Sequence, residues 1–131
     1  MWRTIGSIAA GLVAWAVIAT VLNFGLRIAI PGYVEAEPIL AFSLVMKIAR
    51  LTLAAIASMG AGAVVRAVSP ASRWAPLIAG GIVLCLFLPV HVQIWQKLPV
   101  WYHLTFLLTI VPLFVLGAWM RPTAQLTPRN A

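Results

Sequence analysis

The chain has 131 residues, of which 63% are hydrophobic and only 8% are charged, and nine Lys or Arg against two Asp or Glu give a formal net charge of +7. A soluble domain carries about a quarter charged residues, so this composition excludes an ordinary cytoplasmic enzyme, a disordered chain and a secreted disulfide scaffold. In a membrane, where a helix needs about 20 apolar residues to span, the length allows one domain of at most about five helices.

The first predicted helix lies between two arginines. Charged residues mark helix ends because an ionised side chain at the centre of a bilayer is costly. Residues 4–26 carry no charge, and such a run can cross a hydrocarbon core about 30 Å thick. It is longer than the core of a cleaved signal peptide, about 7 to 15 residues, so we expect it to be retained. The predicted helix spans about 4–27.

The second apolar segment is interrupted by Lys47 and Arg50, which leaves a charge-free part at residues 51–65. This part alone is shorter than the roughly 20 residues of a span. Counting about 20 residues back from Arg66 places Lys47 at the opposite interface and Arg50 about one turn inside it. Both side chains point towards the start of the helix and can extend to the interface. We therefore expect one long helix over about 39–67.

Two more charge-free runs predict a third helix at about 74–97 and a fourth at about 99–120. The remaining residues, 121–131, form a short polar tail. The sequence thus predicts an all-α, integral membrane four-helix bundle, with a single transmembrane domain over 1–120.

Basic residues also predict the orientation of the bundle. With four spans both termini share a side, and positive residues collect on the cytoplasmic side. The terminal side would carry Arg3, Arg66, Arg73, Arg121 and Arg129, and the other side would carry Arg27 and Lys97, with Lys47 and Arg50 close by. We expect both termini, and the tail, to be cytoplasmic.

Small residues at a spacing of four predict where helices approach closely in lipid. The first helix carries Gly6, Ala10 and Ala14, and the second carries Ala54, Ser58 and Gly62. We expect these two lines to pack against each other.

Most polar residues fall in the outer third of the predicted bundle, away from the termini. The candidates for binding an anion or another ligand are Arg27, Lys47, Arg50, His91, Lys97 and His103, and the candidates for ion pairs are Glu35 and Glu37. An unpaired excess of positive charge in a low dielectric favours an anion. Two interpretations stay open: the glutamates pair with Lys47 and Arg50 and simply lock the outer loops, or the cations form an outward-facing anion or lipid-headgroup site.

No catalytic set, metal site or cofactor motif stands out. His91 and His103 lie on neighbouring antiparallel helices, where haem ligation or proton relay is conceivable. A membrane cytochrome would ordinarily carry more histidines near the span centres, and no His, Cys or carboxylate pair has metal-site spacing. Cys85 stands alone in an apolar helix and is best explained by packing. We expect no cofactor, no metal and no enzymatic activity.

One resemblance covers residues 23 to about 117. It rests on three segments: Pro31-Gly32-Tyr33 through Glu35-x-Glu37-Pro38, then Met46 with Ala49-Arg50-Leu51, and Pro89-Val90-His91 through Trp95 to Pro99-Val100-Trp101-Tyr102-His103-Leu104-Thr105-Phe106-Leu107. These segments resemble a family of small four-helix bacterial inner-membrane proteins that has no established activity. The resemblance implies topology and a location in the inner membrane, but no function.

Two classes of function follow as expectations. The first is a non-catalytic accessory or scaffold component of the membrane, whose small-residue faces bind another membrane protein or a second copy of the chain. The second is a transporter or a lipid- or anion-binding protein that uses the outer cations. Membrane lipids are expected partners of either, and nucleic acid of neither.

Overall fold

The computed structural model describes residues 1–120, and the predicted tail at 121–131 lies outside these described residues. Within them all the regular secondary structure is helical. Its elements are α1 (Trp2–Ala29), the short α2 (Tyr33–Ala36) followed by a 3-10 turn (Glu37–Ile39), α3 (Leu44–Val68), α4 (Ala75–Gln93) and α5 (Val100–Met120). The four long helices are apolar enough to cross a membrane. The expectation of an all-α chain with four candidate spans is confirmed.

The four long helices run alternately up and down. The end of α1, the start of α3, the end of α4 and the start of α5 meet at one end of the molecule, which also holds α2 and is called the α2 end below. The chain termini of the described region and the α3–α4 connection lie at the opposite end. The most extensive packing joins α3 to α1 and to α5, so α3 is the central helix.

The second long helix begins five residues later than the sequence pattern predicts, at Leu44 rather than near residue 39. Leu40 takes a left-handed backbone conformation with φ of 56°, which ends the preceding 3-10 turn. Ser43 then caps α3: its hydroxyl accepts a hydrogen bond from the Met46 amide, at 3.3 Å. A left-handed non-glycine residue costs about 1 kcal/mol or more. Stacking of the Phe42 ring on Tyr33, at 5.6 Å, offsets this cost.

The third long helix is shorter than predicted, because it ends at Gln93 instead of continuing to Lys97. Residues 94–98 form turns, in which the Lys97 amide donates to the Ile94 carbonyl. Pro99 follows directly, and a residue before proline avoids helical backbone angles. The connection to α5 is therefore a compact turn and not a helical extension.

Close packing of α1 against α3 occurs, but on a different line of α1 from the predicted one. Gly11 lies under Val65 and the Ala61 carbonyl, so that an added Cβ would collide with the Val65 side chain. Trp15 donates from its indole nitrogen to the Ser58 hydroxyl, at 3.1 Å. Gly6 is exposed, and an added Cβ there would meet none of the described residues within 4 Å. Its predicted role in the contact is wrong, whereas Ala14 of the same predicted line does pack against the core cluster that contains Ala54.

The opposite end of α3 packs on α5 through two glycines. A Cβ on Gly62 would collide with the Phe114 carbonyl, and a Cβ on Gly117 would collide with the Met59 carbonyl. Gly80 of α4 also lies against Phe114, whose ring is fully buried. Small residues let helix backbones approach closely in this way. Direct backbone contact thus holds α3 and α5 together at this end.

Candidate functional site

A cleft of about 430 Å³ opens between the helices at the α2 end. This volume falls within the range of about 300–1,000 Å³ that is typical of small-molecule sites. The cleft is lined by Trp15, Ala19, Thr20, Asn23, Phe24, Arg27, Glu37, Arg50, Leu53, Ala54, Phe87, Tyr102 and Phe106. Its polar groups gather at the end nearest α2, and its apolar and aromatic groups line the part that reaches between the helices. The cleft is therefore amphipathic along its length.

Arg50 is the cation that reaches furthest into this cleft. Its position in the second turn of α3 places it about 9 Å from the start of the helix. Its Nη1 donates to the Tyr33 hydroxyl at 2.6 Å and its Nε donates to the Tyr102 hydroxyl at 3.2 Å. The guanidinium also lies over the Phe42 ring, 4.7 Å from the ring centre. The planar group is thus held by three aromatic side chains from three segments of the chain.

Glu37 closes the same end of the cleft from the 3-10 turn. Its Oε1 accepts from Arg27 Nε at 2.8 Å, its Oε2 accepts from Asn23 Nδ2 at 2.9 Å, and Arg50 Nη1 lies 3.8 Å from Oε2. Burial raises the pKa of the Glu37 carboxyl, but the hydrogen bonds from Asn23 and Arg27 and the charges of Arg27 and Arg50 outweigh it. The net pKa lies below its usual value, so Glu37 is ionised at neutral pH.

Tyr33 connects Asn23 to Arg50 in this network. Its hydroxyl donates to Asn23 Oδ1 at 2.7 Å and accepts from Arg50. The ring is completely buried at the start of α2, directly after Gly32, whose φ of 81° allows the sharp turn out of α1. Burial raises the pKa of the Tyr33 phenol despite the nearby positive charge of Arg50. The neutral hydroxyl can therefore serve as donor and acceptor at once.

The charges around the cleft do not cancel. Two guanidinium groups, Arg27 and Arg50, face a single carboxylate, Glu37, which leaves one positive charge. The Nη2 atom of Arg50 makes no hydrogen bond or ion pair with residues 1–120, and no buried polar side-chain atom there lacks a partner. This atom is therefore exposed, on a residue that lines the cleft. A guanidinium edge in an apolar-walled cleft is suited to an anionic oxygen.

The two histidines lie together just behind the wall of the cleft. Their Nδ1 atoms are 2.7 Å apart, and both rings are buried. The His91 ring packs at a tilt on Phe106, with ring centres 4.5 Å apart, and stacks on Tyr102 at 6.2 Å, and both of these residues line the cleft. His103 stacks on Trp95, at 4.6 Å. The structure thus pairs the histidines with each other, next to the Arg50 network.

The remaining predicted site residues lie apart from this cluster. Lys47 is half-buried on α3, and Lys97 and Glu35 are exposed. None of the three makes a side-chain hydrogen bond or an ion pair with the described residues. Of the predicted ion pairs between the glutamates and Lys47 or Arg50, the described residues contain only the long Arg50–Glu37 contact. The main partner of Glu37 is Arg27.

Two tyrosines of the network were absent from the predicted site. Tyr102 has the position of an interfacial aromatic residue in sequence, and Tyr33 belongs to a loop segment with the turn signal Pro31-Gly32. The only sequence feature that could have indicated their role is that each tyrosine lies near charged residues. A buried tyrosine hydroxyl needs a hydrogen-bond partner, and a nearby charged side chain can be that partner.

Among residues 1–120, no group of three or more His, Cys, Asp or Glu side chains could hold a metal ion. Cys85, the only cysteine of the chain, is exposed on α4. No protein-family model, curated protein or solved structure matches this chain.

Proposed function

We propose that this chain is a bacterial inner-membrane protein that spans the bilayer four times and binds the anionic headgroup of a lipid in the cleft at its α2 end. Both termini face the cytoplasm in this proposal, which places the cleft near the outer surface of the membrane. The observation that carries it is the free guanidinium edge of Arg50 at the polar end of an otherwise apolar cleft.

The shape of the cleft supports a ligand with a charged head and an apolar body. The head would meet Arg50, with Arg27 and Thr20 nearby, and the body would lie against Trp15 and Phe106. Phosphate oxygens bind guanidinium groups strongly, particularly where little water competes. An inorganic anion would leave the aromatic part of the cleft without a contact, so an acyl or isoprenoid chain fits the whole cleft better.

The binding test uses native mass spectrometry of the full-length chain released from its membrane. The wild-type chain should retain one anionic lipid, and Arg50→Met should lose it. Lys97→Met is the matched control, because it removes an exposed cation at the same end but outside the cleft. Equal lipid retention by wild type and Arg50→Met would contradict the proposal.

A second variant separates binding from folding. Ala19→Phe fills the apolar part of the cleft without changing any charge, so it should reduce lipid retention while the polar network stays intact. Titration of the purified chain with inorganic phosphate distinguishes the two sources of an anion. Tight binding of phosphate alone, unaffected by Ala19→Phe, would show that the ligand is a free anion and not a lipid.

The orientation is tested with fusions at the C-terminus. Alkaline phosphatase is active only outside the cytoplasm and should be inactive there, whereas a fluorescent protein should be fluorescent. The opposite pattern would place the cleft on the cytoplasmic side.

A second candidate function, as an accessory component without catalytic activity, is supported by α1. Only 11% of its most apolar window is buried, compared with 33% in the other three long helices. A helix packed on one side only can serve as a contact for another membrane protein. Purification in mild detergent should then yield a stoichiometric partner, and repeated isolation of the chain alone would count against this function.

A further inference from the structure

The His91–His103 contact determines which nitrogen atoms in the core of the bundle can bind a proton. The Nδ1 atoms are 2.7 Å apart, and the exposed fractions of the two residues are 4% and 0%. Two nitrogen atoms at this distance need one proton between them, because two lone pairs or two N–H groups would repel each other. The hydrogen bond therefore holds a single shared proton.

The second nitrogen of His103 identifies the tautomers. His103 Nε2 lies 3.3 Å from the Trp95 carbonyl oxygen, which can only accept a hydrogen bond. In the neutral state His103 therefore carries its proton on Nε2, and its Nδ1 is a bare acceptor. The shared proton then belongs to His91 Nδ1, and His91 Nε2 keeps a free lone pair.

That lone pair is the place where a further proton can bind. His91 Nε2 makes no hydrogen bond with residues 1–120, and no buried polar side-chain atom among them lacks a partner. The atom is therefore accessible to a water molecule that delivers a proton. A second added proton would have to bind His103 Nδ1, directly opposite His91 Nδ1–H. It would break the hydrogen bond and place two positive rings in contact.

The elements packed around the pair offer few competing charges. From α5 the Tyr102 ring faces His91, and from α3 the guanidinium of Arg50, bound to the Tyr102 hydroxyl, is the one positive charge among the described residues that acts on His91. From α1 the neighbouring side chain is Trp15, which packs on Phe87 one turn before His91 and does not titrate. In the α4–α5 turn Lys97 is exposed to solvent. Glu37, on the far side of Arg50, is bound to Arg27.

We propose that His91 and His103 form a binding site for one proton, which takes up a single proton per chain at His91 Nε2 and excludes a second. Protonation adds a positive charge directly behind Tyr102 and Phe106, the wall of the cleft. The regulatory consequence rests on the proposed function: acidification strengthens binding of an anionic headgroup next to Arg50.

The proton site is tested without any ligand. The chain contains only two histidines, so ¹⁵N-histidine labelling in nanodiscs of neutral lipid reports this pair alone. At neutral pH we expect a scalar coupling between the two Nδ1 nuclei across the hydrogen bond and a protonated Nε2 on His103. Titration from neutral pH into the acidic range, continued until the spectrum no longer changes while the chain stays folded, should add one proton, at His91 Nε2. Uptake of two protons, or two rings that titrate independently, would overturn the proposal.

A variant and its control sharpen the result. His103→Gln removes the imidazole nitrogen that accepts the shared proton, so the nitrogen–nitrogen coupling should vanish. Gln93→Ala changes an exposed residue on the same helix and should leave the wild-type spectrum in place. If His103→Gln does not fold, the proton count of the wild-type chain still decides the proposal.

The link to the cleft is measured separately with an alkyl sulfonate, whose own charge does not change over this pH range. We expect the wild-type chain to bind it about fivefold more tightly at the acidic end, at the lower limit of typical coupling between two sites. His91→Gln should remove this pH dependence and leave binding at neutral pH in place. Single-proton uptake without sulfonate binding would reject the cleft as a lipid site but keep the proton site, whereas binding with no pH dependence would reject the link between them.

Discussion

The two ends of the α3–α5 contact are held together by different physics, although they belong to the same pair of helices. At one end Gly62 and Gly117 let the two backbones touch. At the α2 end the same helices meet through Arg50 and the Tyr102 hydroxyl, with a cleft of about 430 Å³ beside them. At the glycine end the two backbones are in direct contact, whereas at the α2 end long polar side chains bridge the same two helices.

This difference suggests a division of roles within one small bundle. Contact between backbones depends on shape alone and does not change with pH or salt, so the glycine end sets the helix crossing. The α2 end depends on charges and hydrogen bonds, which respond to protons and to ligands. Variants that act on one end should therefore leave the other end recognisably intact.

The largest effect is expected at the glycine end. Gly62→Val would force a side chain into the Phe114 carbonyl, and overpacking of this kind costs about 3 kcal/mol. Unfolding in mixed micelles, followed by circular dichroism, should show a large loss of stability or failure to fold. Gly81→Val is the matched control, because an added Cβ at Gly81 meets no described residue within 4 Å. Equal effects of the two variants would show that the α3–α5 contact is not close.

The next largest effect is expected from removing the central cation of the α2 end. Arg50→Met leaves the hydroxyls of Tyr33 and Tyr102 without the donor that Arg50 provides. It also removes one of the two positive charges close to Glu37. Because hydrogen bonds to charged groups are worth about 1.5–3 kcal/mol, we expect a loss of about 2 kcal/mol in the same unfolding measurement. Lys97→Met should change the free energy of unfolding little. If Arg50→Met and Lys97→Met lost similar stability, the net charge of the chain, and not the hydrogen-bond network of Arg50, would explain the effect.

A smaller effect is expected from one hydroxyl group. Tyr33→Phe keeps the buried ring but removes the atom that links Asn23 to Arg50. Loss of these hydrogen bonds should cost about 1 kcal/mol. Hydrogen exchange of the backbone amides in residues 33–39 should become faster, while amides around Gly62 keep their protection. Faster exchange at both ends would contradict the separation of the two regions.

The smallest effect is a pH dependence confined to the α2 end. Glu37 has a pKa below the ordinary value of 4.5 in the folded chain. Its stabilising contribution is therefore fully present above about pH 4.5 and is lost as the pH falls through the folded-state pKa. Wild type should be more stable than Glu37→Gln at neutral pH, and this difference should disappear in acid. A difference that grows on acidification would show that the sign of the shift is wrong.

Much of the architecture follows from features that are local in sequence. The charge-free runs predict four long helices, and the structure has them, because apolar length is set by consecutive residues. Their ends are less well predicted: the start of α3 depends on the Ser43 cap and on the left-handed Leu40. Neither feature changes hydrophobicity, so a pattern of charges and apolar residues does not detect it.

The site depends on contacts between residues that are distant in sequence. Arg50 and Tyr102 are separated by 52 positions, and Trp15 and Ser58 by 43. The rotation of each helix about its axis decides which side chains meet, and in α1 this rotation places Gly11 and Trp15, not Gly6, against α3. This rotation results from the packing of all the helices against one another. The sequence of a single helix therefore does not determine it.

By itself, the sequence determined that this chain is apolar, helical and equipped with a polar cluster at one end of four candidate spans. Composition and charge spacing suffice for this, since each span is a local property. The packing of the helices is what makes Glu37 bind Arg27, places Arg50 between two tyrosines, and brings the Nδ1 atoms of His91 and His103 within 2.7 Å of each other. These pairings require distances of about 3 Å between different helices, and only the packed bundle sets them.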